Sequence, residues 1–286
     1  MLNVLLAIFS MLAQGTSDFL YKKAQDRGIV LETYLMIEST PFALVALLFG
    51  NLLGDLYVDR TTVSFGLISG VFSFAAIFCF VTSLREGAVG VNTLIFRLNF
   101  VWVAVLAILW LGEAWTASVG AGLCFAVLAI GSVTLLAGRQ GERRGSSPRS
   151  IGLAILAMVF FVVLNLLLKI GIQRGANVGW AIVFAAMSWT FCAATLVVVR
   201  RRFSFPRNNW LFLPITGALK SLAFVSMLYA FRRGGSASVV VPVVQLSFLV
   251  TMGWAAVILR EPLTRPKLLA MGLAVAAIVA FSTQGG

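Results

Sequence analysis

Charged residues along this 286-residue chain leave stretches of about 20 mostly apolar residues between them, and that spacing limits what the chain can become. A run of that length spans a bilayer as a helix, because in hydrocarbon its backbone N–H and C=O groups must pair within the segment. Cutting at charge and turn clusters gives ten segments, at approximately 2–22, 32–54, 62–84, 88–111, 116–137, 151–172, 178–199, 209–231, 236–259 and 265–283. Composition agrees: 60% of residues are hydrophobic and 11% charged, against about 45–50% and about 25% in soluble domains. The expected fold is an all-α membrane protein with ten transmembrane helices. Its first run has no basic leader or small-residue cleavage site and reads as a retained helix.

The same residues exclude several functions. There is no His, so the usual general base and a Ser-His-Asp triad are absent, and ten acidic residues leave few candidates for hydrolysis. An enzyme is not expected. Cys79, Cys124 and Cys192 stand singly in apolar runs and form neither a disulfide framework nor a zinc pattern, so no metal or cofactor is expected. The net charge of +12 is scattered between the spans and forms no nucleic-acid patch. Counted over alternate loops, fifteen basic residues fall on one face and four (Arg60, Arg174, Arg232 and Arg233) on the other. The positive-inside rule makes the first face cytoplasmic and puts both termini outside.

Gly138 to Ser150 is rich in Gly, Ser and Arg and separates two five-helix halves, 1–137 and 151–286, as a basic linker over 138–150. The halves resemble each other. A shift of 148 residues aligns Ser83–Thr134 with Phe231–Ser282 without a gap and with thirteen identities in 52 positions, among them Arg85/Arg233, Glu113/Glu261 and Thr116/Thr264. An offset of 147 places Lys22, Arg27 and Gly28 on Lys169, Arg174 and Gly175. Five helices is an odd number, so the copies would cross the membrane in opposite senses. Inverted repeats of this kind are typical of secondary transporters, with the solute site near the midplane.

Each half closes its fourth helix with Leu-x-Glu, Leu111-Gly112-Glu113 and Leu259-Arg260-Glu261, before another helix rich in small residues. With the five-plus-five plan and the chain length, this resembles the EamA-type branch of the drug/metabolite transporter superfamily over essentially the whole chain. The resemblance implies a transporter of amino acids, other metabolites or drugs, or an exchanger of nucleotide sugars or phosphorylated compounds. One departure stands out: a proline common in the fourth helix is missing, and Arg97-Leu98-Asn99-Phe100 occupies that neighbourhood.

Polar residues inside the spans carry the functional information, since a charge at membrane depth costs about 2.5–3.5 kcal/mol on insertion scales and needs a partner or a cavity. Arg97 and Asn99 match Gln245 and Ser247 in the other half, so both mid-helix pairs are expected at the central axis. The plainer alternative pairs Arg97 with Glu38 as a structural brace. Lys220 sits at mid-helix opposite Phe72 in the alignment, either to bind an anionic group or to pair across the bundle. Glu38 precedes Pro41, where a missing backbone donor frees a carbonyl and Ser39 and Thr40 can compensate; a gate, a proton site and a simple packing kink are all open. Gln14, Asp18 and Lys22 form a stripe at i, i+4 and i+8, echoed by Asn165 and Lys169. Glu113 and Glu261 are expected to support caps made by Thr116 and Thr264 on the next helices.

Together these residues point to a bacterial inner-membrane secondary transporter, an exporter of a small solute with an anionic group, working by alternating access. Gln14, Asp18, Glu38, Arg97, Asn99, Lys220 and Gln245 are the candidate solute-binding residues. The expected partners are the solute, the lipid bilayer and a coupling proton; one chain supplies both halves, so a monomer suffices. Two alternatives stay open: an exporter of lipophilic cations, with Asp18 and Glu38 binding, and a non-transporting membrane scaffold.

Overall fold

A computed structural model describes residues 2–26, 30–52, 57–86, 89–132, 147–201, 203–204, 210–258, 260 and 264–283, and these are entirely helices and their connections. In chain order the helices are α1 (Leu2–Asp26), α2 (Leu31–Leu52), α3 (Arg60–Glu86), α4 (Val89–Arg97), α5 (Asn99–Leu111) and α6 (Ala117–Gly131). The second half continues with α7 (Pro148–Gln173), α8 (Val178–Arg200), α9 (Phe212–Arg232), α10 (Ala237–Gln245), α11 (Phe248–Ile258) and α12 (Arg265–Ser282). Nine spans among the described residues are long and apolar enough to cross a membrane, counting α4 with α5 and α10 with α11; α6 is shorter. Trp110 and Phe191, each 75% exposed, belong to an outer surface that water would not favour and lipid would cover.

The ends of the helices follow local chemistry. Asp59 precedes α3 and accepts from the Thr62 amide at 2.9 Å; the bonds from Thr62 hold its carboxyl below the usual range. Ser147 caps α7 by accepting from Ser150 N, with Pro148 at the first turn. Thus residues 148–150, expected in the linker, are the first turn of α7, while 138–146 lie outside the described residues. Thr116 caps α6 as expected, but Thr264 makes no side-chain cap on α12.

Two expected spans are broken, not continuous. The fourth divides at Leu98 and the ninth at Leu246–Ser247, positions that correspond at an offset of 148. Pro242 lies inside α10, where the first half has Leu94, yet both halves break. Proline is therefore not the common cause. In the first half Asn99 Nδ2 donates to the Phe96 carbonyl at 2.7 Å, diverting that acceptor from the helical ladder.

Helices of one half pack chiefly on helices of the other. α3 lies along α7 as α1 lies along α9; α2 on α9 has its counterpart in α3 on α8; α2–α8 and α6–α12 pair equivalent helices. Exchanging the halves maps this pattern onto itself. Close approach is permitted by glycine at two equivalent crossings: a Cβ on Gly217 would overlap the Glu38 carbonyl on α2, and one on Gly70 would overlap the Ala185 carbonyl on α8. Gly70 and Gly217 differ by 147 residues, as do Glu38 and Ala185.

Candidate functional site

The interlocked halves leave a cavity of about 650 Å³ between them. Six of the seven candidate residues, Gln14, Asp18, Glu38, Arg97, Lys220 and Gln245, line it. Asn99 is fully buried beside it and accepts from Gln245 Nε2 at 3.2 Å. The cavity reaches from the two helix breaks to Tyr21 near the end of α1, Tyr34 near the start of α2 and Leu84 near the end of α3. That is the end of the bundle carrying Lys23, Arg149, Arg200 and Arg265.

At the breaks the two halves touch. Arg97, the last residue of α4, donates from Nη1 to the Gln245 carbonyl at 3.0 Å, a bond between equivalent positions. Its guanidinium stands 5.4 Å from the centre of the Phe248 ring. Among the described residues no carboxylate oxygen lies within 4.0 Å of it. A guanidinium has five N–H donors, and one finds a protein acceptor here. On α1, Asp18 Oδ1 accepts from Gln14 Nε2 at 2.8 Å, the i, i+4 bond of the polar stripe. Asp18 Oδ2 has no hydrogen-bond partner among the described residues. Gly15 lets α1 approach this place, for a Cβ there would overlap the Ser247 carbonyl in the ninth-span break. Thr251 Oγ1 fastens the approach by donating to the Gly15 carbonyl at 2.9 Å.

Glu38 does not pair with Arg97. Its Oε1 lies 2.6 Å from Lys220 Nζ, so the brace links α2 to α9, not α2 to α4. The local reason is spacing: Gly217 and Lys220 are three apart and share a face of α9, and the glycine brings that face onto Glu38. At this crossing the repeat offset is 147, which makes Ser73 the counterpart of Lys220, where Phe72 was expected. Near Pro41, which lies inside the continuous helix α2, Ser39 Oγ donates to the Met36 carbonyl at 2.8 Å and accepts from Thr190 Oγ1 at 2.6 Å. Lys22's side chain is outside the described residues, as is Glu261.

Glu113 does cap a helix, but in the other half. Its Oε1 accepts from Ala237 N at 2.6 Å and its Oε2 from Ser238 N at 2.9 Å, at the start of α10. Lys169, buried, stands 3.9 Å from Glu113 Oε1 and donates to the Gly235 carbonyl. This cluster lies at the end of the bundle opposite the cavity's wide reach, where Tyr57 also donates to the Gly175 carbonyl at 2.7 Å.

Sequence reading missed Tyr21 and Tyr34. Both rings lie 5.6 Å from Lys220 Nζ. The signal was present: Tyr21 is three residues beyond Asp18 and Tyr34 four before Glu38, so each shares a helix face with a charged candidate. Asn165, noted only as an echo of the α1 stripe, also lines the cavity.

No curated protein matches the chain. A solved structure, described only as a crystal structure of a protein, superposes with a TM-score of 0.82 at 15% identity over 99% of each chain, a likeness of fold. The model of the EamA-like transporter family matches residues 1–135 and again 148–283, one copy per half. Two family matches on two interlocked helical halves leave one reading of the whole: the chain belongs to the EamA-like transporter family, within the drug/metabolite transporter superfamily, and is a multi-pass membrane protein.

Proposed function

We propose that this protein is a ten-span secondary transporter of two inverted repeats that exports a small zwitterionic or anionic solute by alternating access. The carrying observation is the Arg97 guanidinium: it faces the cavity at the crossing of two broken helices, with one donor used and no carboxylate in ion-pair range. A solute carboxylate or phosphate supplies the missing acceptors, bidentate in the best geometry. Gln245 and Asn99 position that arginine. Asp18, with one oxygen unbonded, suits the positive end of a zwitterion. Aromatic neighbours such as Phe161, Trp189 and Phe224 give the rest of the cavity an apolar character and favour an apolar side chain on the solute.

The charge bias supports a cytoplasmic location for the basic end and outward termini in a bacterial inner membrane. With that orientation, the cavity reaches toward the cytoplasm, and the Glu113–Lys169 cluster lies toward the outside. The carboxylates of Asp18, to which Gln14 donates, and of Glu38, beside Lys220, are the places for a coupling proton. A lipophilic-cation exporter is less well supported, because Glu38 already faces the Lys220 ammonium and Asp18 shares its surroundings with the Arg97 cation.

Uptake of labelled amino acids and organic anions into proteoliposomes tests the reading. Arg97→Ala is expected to lower transport efficiency by about 10- to 100-fold, the worth of a charge-assisted bond of about 1.5–3 kcal/mol, with Arg97→Lys intermediate. An undiminished rate in Arg97→Ala overturns the site.

A further inference from the structure

The ammonium of Lys220 is held as a small-molecule amine would be. Glu38 Oε1 lies 2.6 Å away, and the rings of Tyr21 and Tyr34 stand 5.6 Å from it on centroid distance. The two rings meet edge to face with centroids 4.4 Å apart, which makes a corner open toward the nitrogen. A carboxylate beside aromatic rings attracts a desolvated cation by Coulomb and quadrupole terms together. Glu38 and Tyr34 are deeply buried, at 3% and 1% exposure, so this corner is built into the protein, while the Lys220 side chain, at 20%, is the more exposed partner.

Packing does not require the ion pair. The equivalent crossing, α3 on α8, brings Gly70 against Ala185 in the same way that Gly217 meets Glu38, and there Ser73 and Ala185 stand where Lys220 and Glu38 do here. One crossing is made without charge and the other with it. Replacing a buried ion pair by apolar groups is often neutral or stabilising, so the charges need a reason other than stability.

We propose that Glu38, Tyr21 and Tyr34 form a binding site for a primary ammonium group, and that Lys220 fills it as a tethered ligand. A free amine takes the site when the lysine, on its flexible four-carbon stem, withdraws into the cavity. The site stands on the α2–α9 crossing and does not depend on Arg97 or on transport.

Thermal shift of the purified full chain tests this with n-propylammonium, the portion of lysine that alanine lacks. Lys220→Ala is expected to gain a saturable rise in melting temperature of several degrees at millimolar propylammonium, with none from n-propanol. Wild type, whose tethered lysine competes for the site, responds only at much higher propylammonium concentration, and Lys220→Ala/Glu38→Gln loses the response. Glu38→Ala/Lys220→Ser, which copies the uncharged crossing, is expected to fold without ligand and to ignore the amine. If Lys220→Ala is recovered folded only when propylammonium is present throughout purification, the site stands; if the amine neither rescues nor shifts that variant, the proposal falls. An equal shift in the Glu38→Gln double variant also overturns it. A null result here leaves the Arg97 reading intact, since that reading is scored by anion flux.

Discussion

Arg97 and Lys220 line one cavity yet have different surroundings: Arg97 feels Asp18 only at a distance beyond direct contact, whereas Lys220 stands against Glu38 at 2.6 Å. Sequence could place both at mid-span, because hydropathy reports depth. It could not pair them, since two cations and two anions on different helices have no azimuth until the helices pack. Glu113 shows the same limit: its chemistry as a cap was legible and its helix was not, because the amides of Ala237 and Ser238 come from the other half. Charge-assisted bonds to two amides at a helix start predict that Glu113→Ala destabilises by about 1–3 kcal/mol, read as a lower unfolding midpoint in detergent, with Glu113→Gln losing less. An unchanged midpoint in Glu113→Ala would show that water serves α10 equally well.

At the scale of elements, the apolar run over 88–111 gives no sign by hydropathy alone that the fourth span divides. The division is written in polar spacing: Arg97 and Asn99 recur as Gln245 and Ser247, and each break starts directly after the first member of its pair. Two glycines, Gly70 and Gly217, have a specific task at equivalent crossings. Gly217 sets how near α9 comes to Glu38, so Gly217→Val is expected to force α9 off α2 and to cost about 1–3 kcal/mol by overpacking. The same variant should weaken any alkylammonium response of Lys220→Ala, since the corner opens. Thermal unfolding and ligand shift on the combined variant measure both; a preserved response would place the site elsewhere.

Across the whole molecule, the order of the apolar spans was largely legible because membrane length rules leave few choices, though among the described residues nine reach spanning length and α6 is shorter, and the second copy of the pattern could be found by alignment. What could not be read is that the halves are not neighbours side by side. Their helices alternate in contact, α3 with α7 and α1 with α9, so each half lacks most of its packing partners when alone. Residues 1–140 and 141–286 expressed separately are expected to be unstable, and co-expressed they are expected to copurify through a tag on one piece. Stable, monodisperse single halves would contradict this. The uncharged and charged crossings also make the two halves unequal as energy wells. If the halves trade shapes during transport, perfect copies would divide their time evenly between the two facings; a lysine and a glutamate on one crossing alone lift that degeneracy. The idle protein then has a preferred direction to rest in, and Glu38→Ala/Lys220→Ser, by making the crossings alike, should move the resting populations toward equality in a spin-label distance measurement.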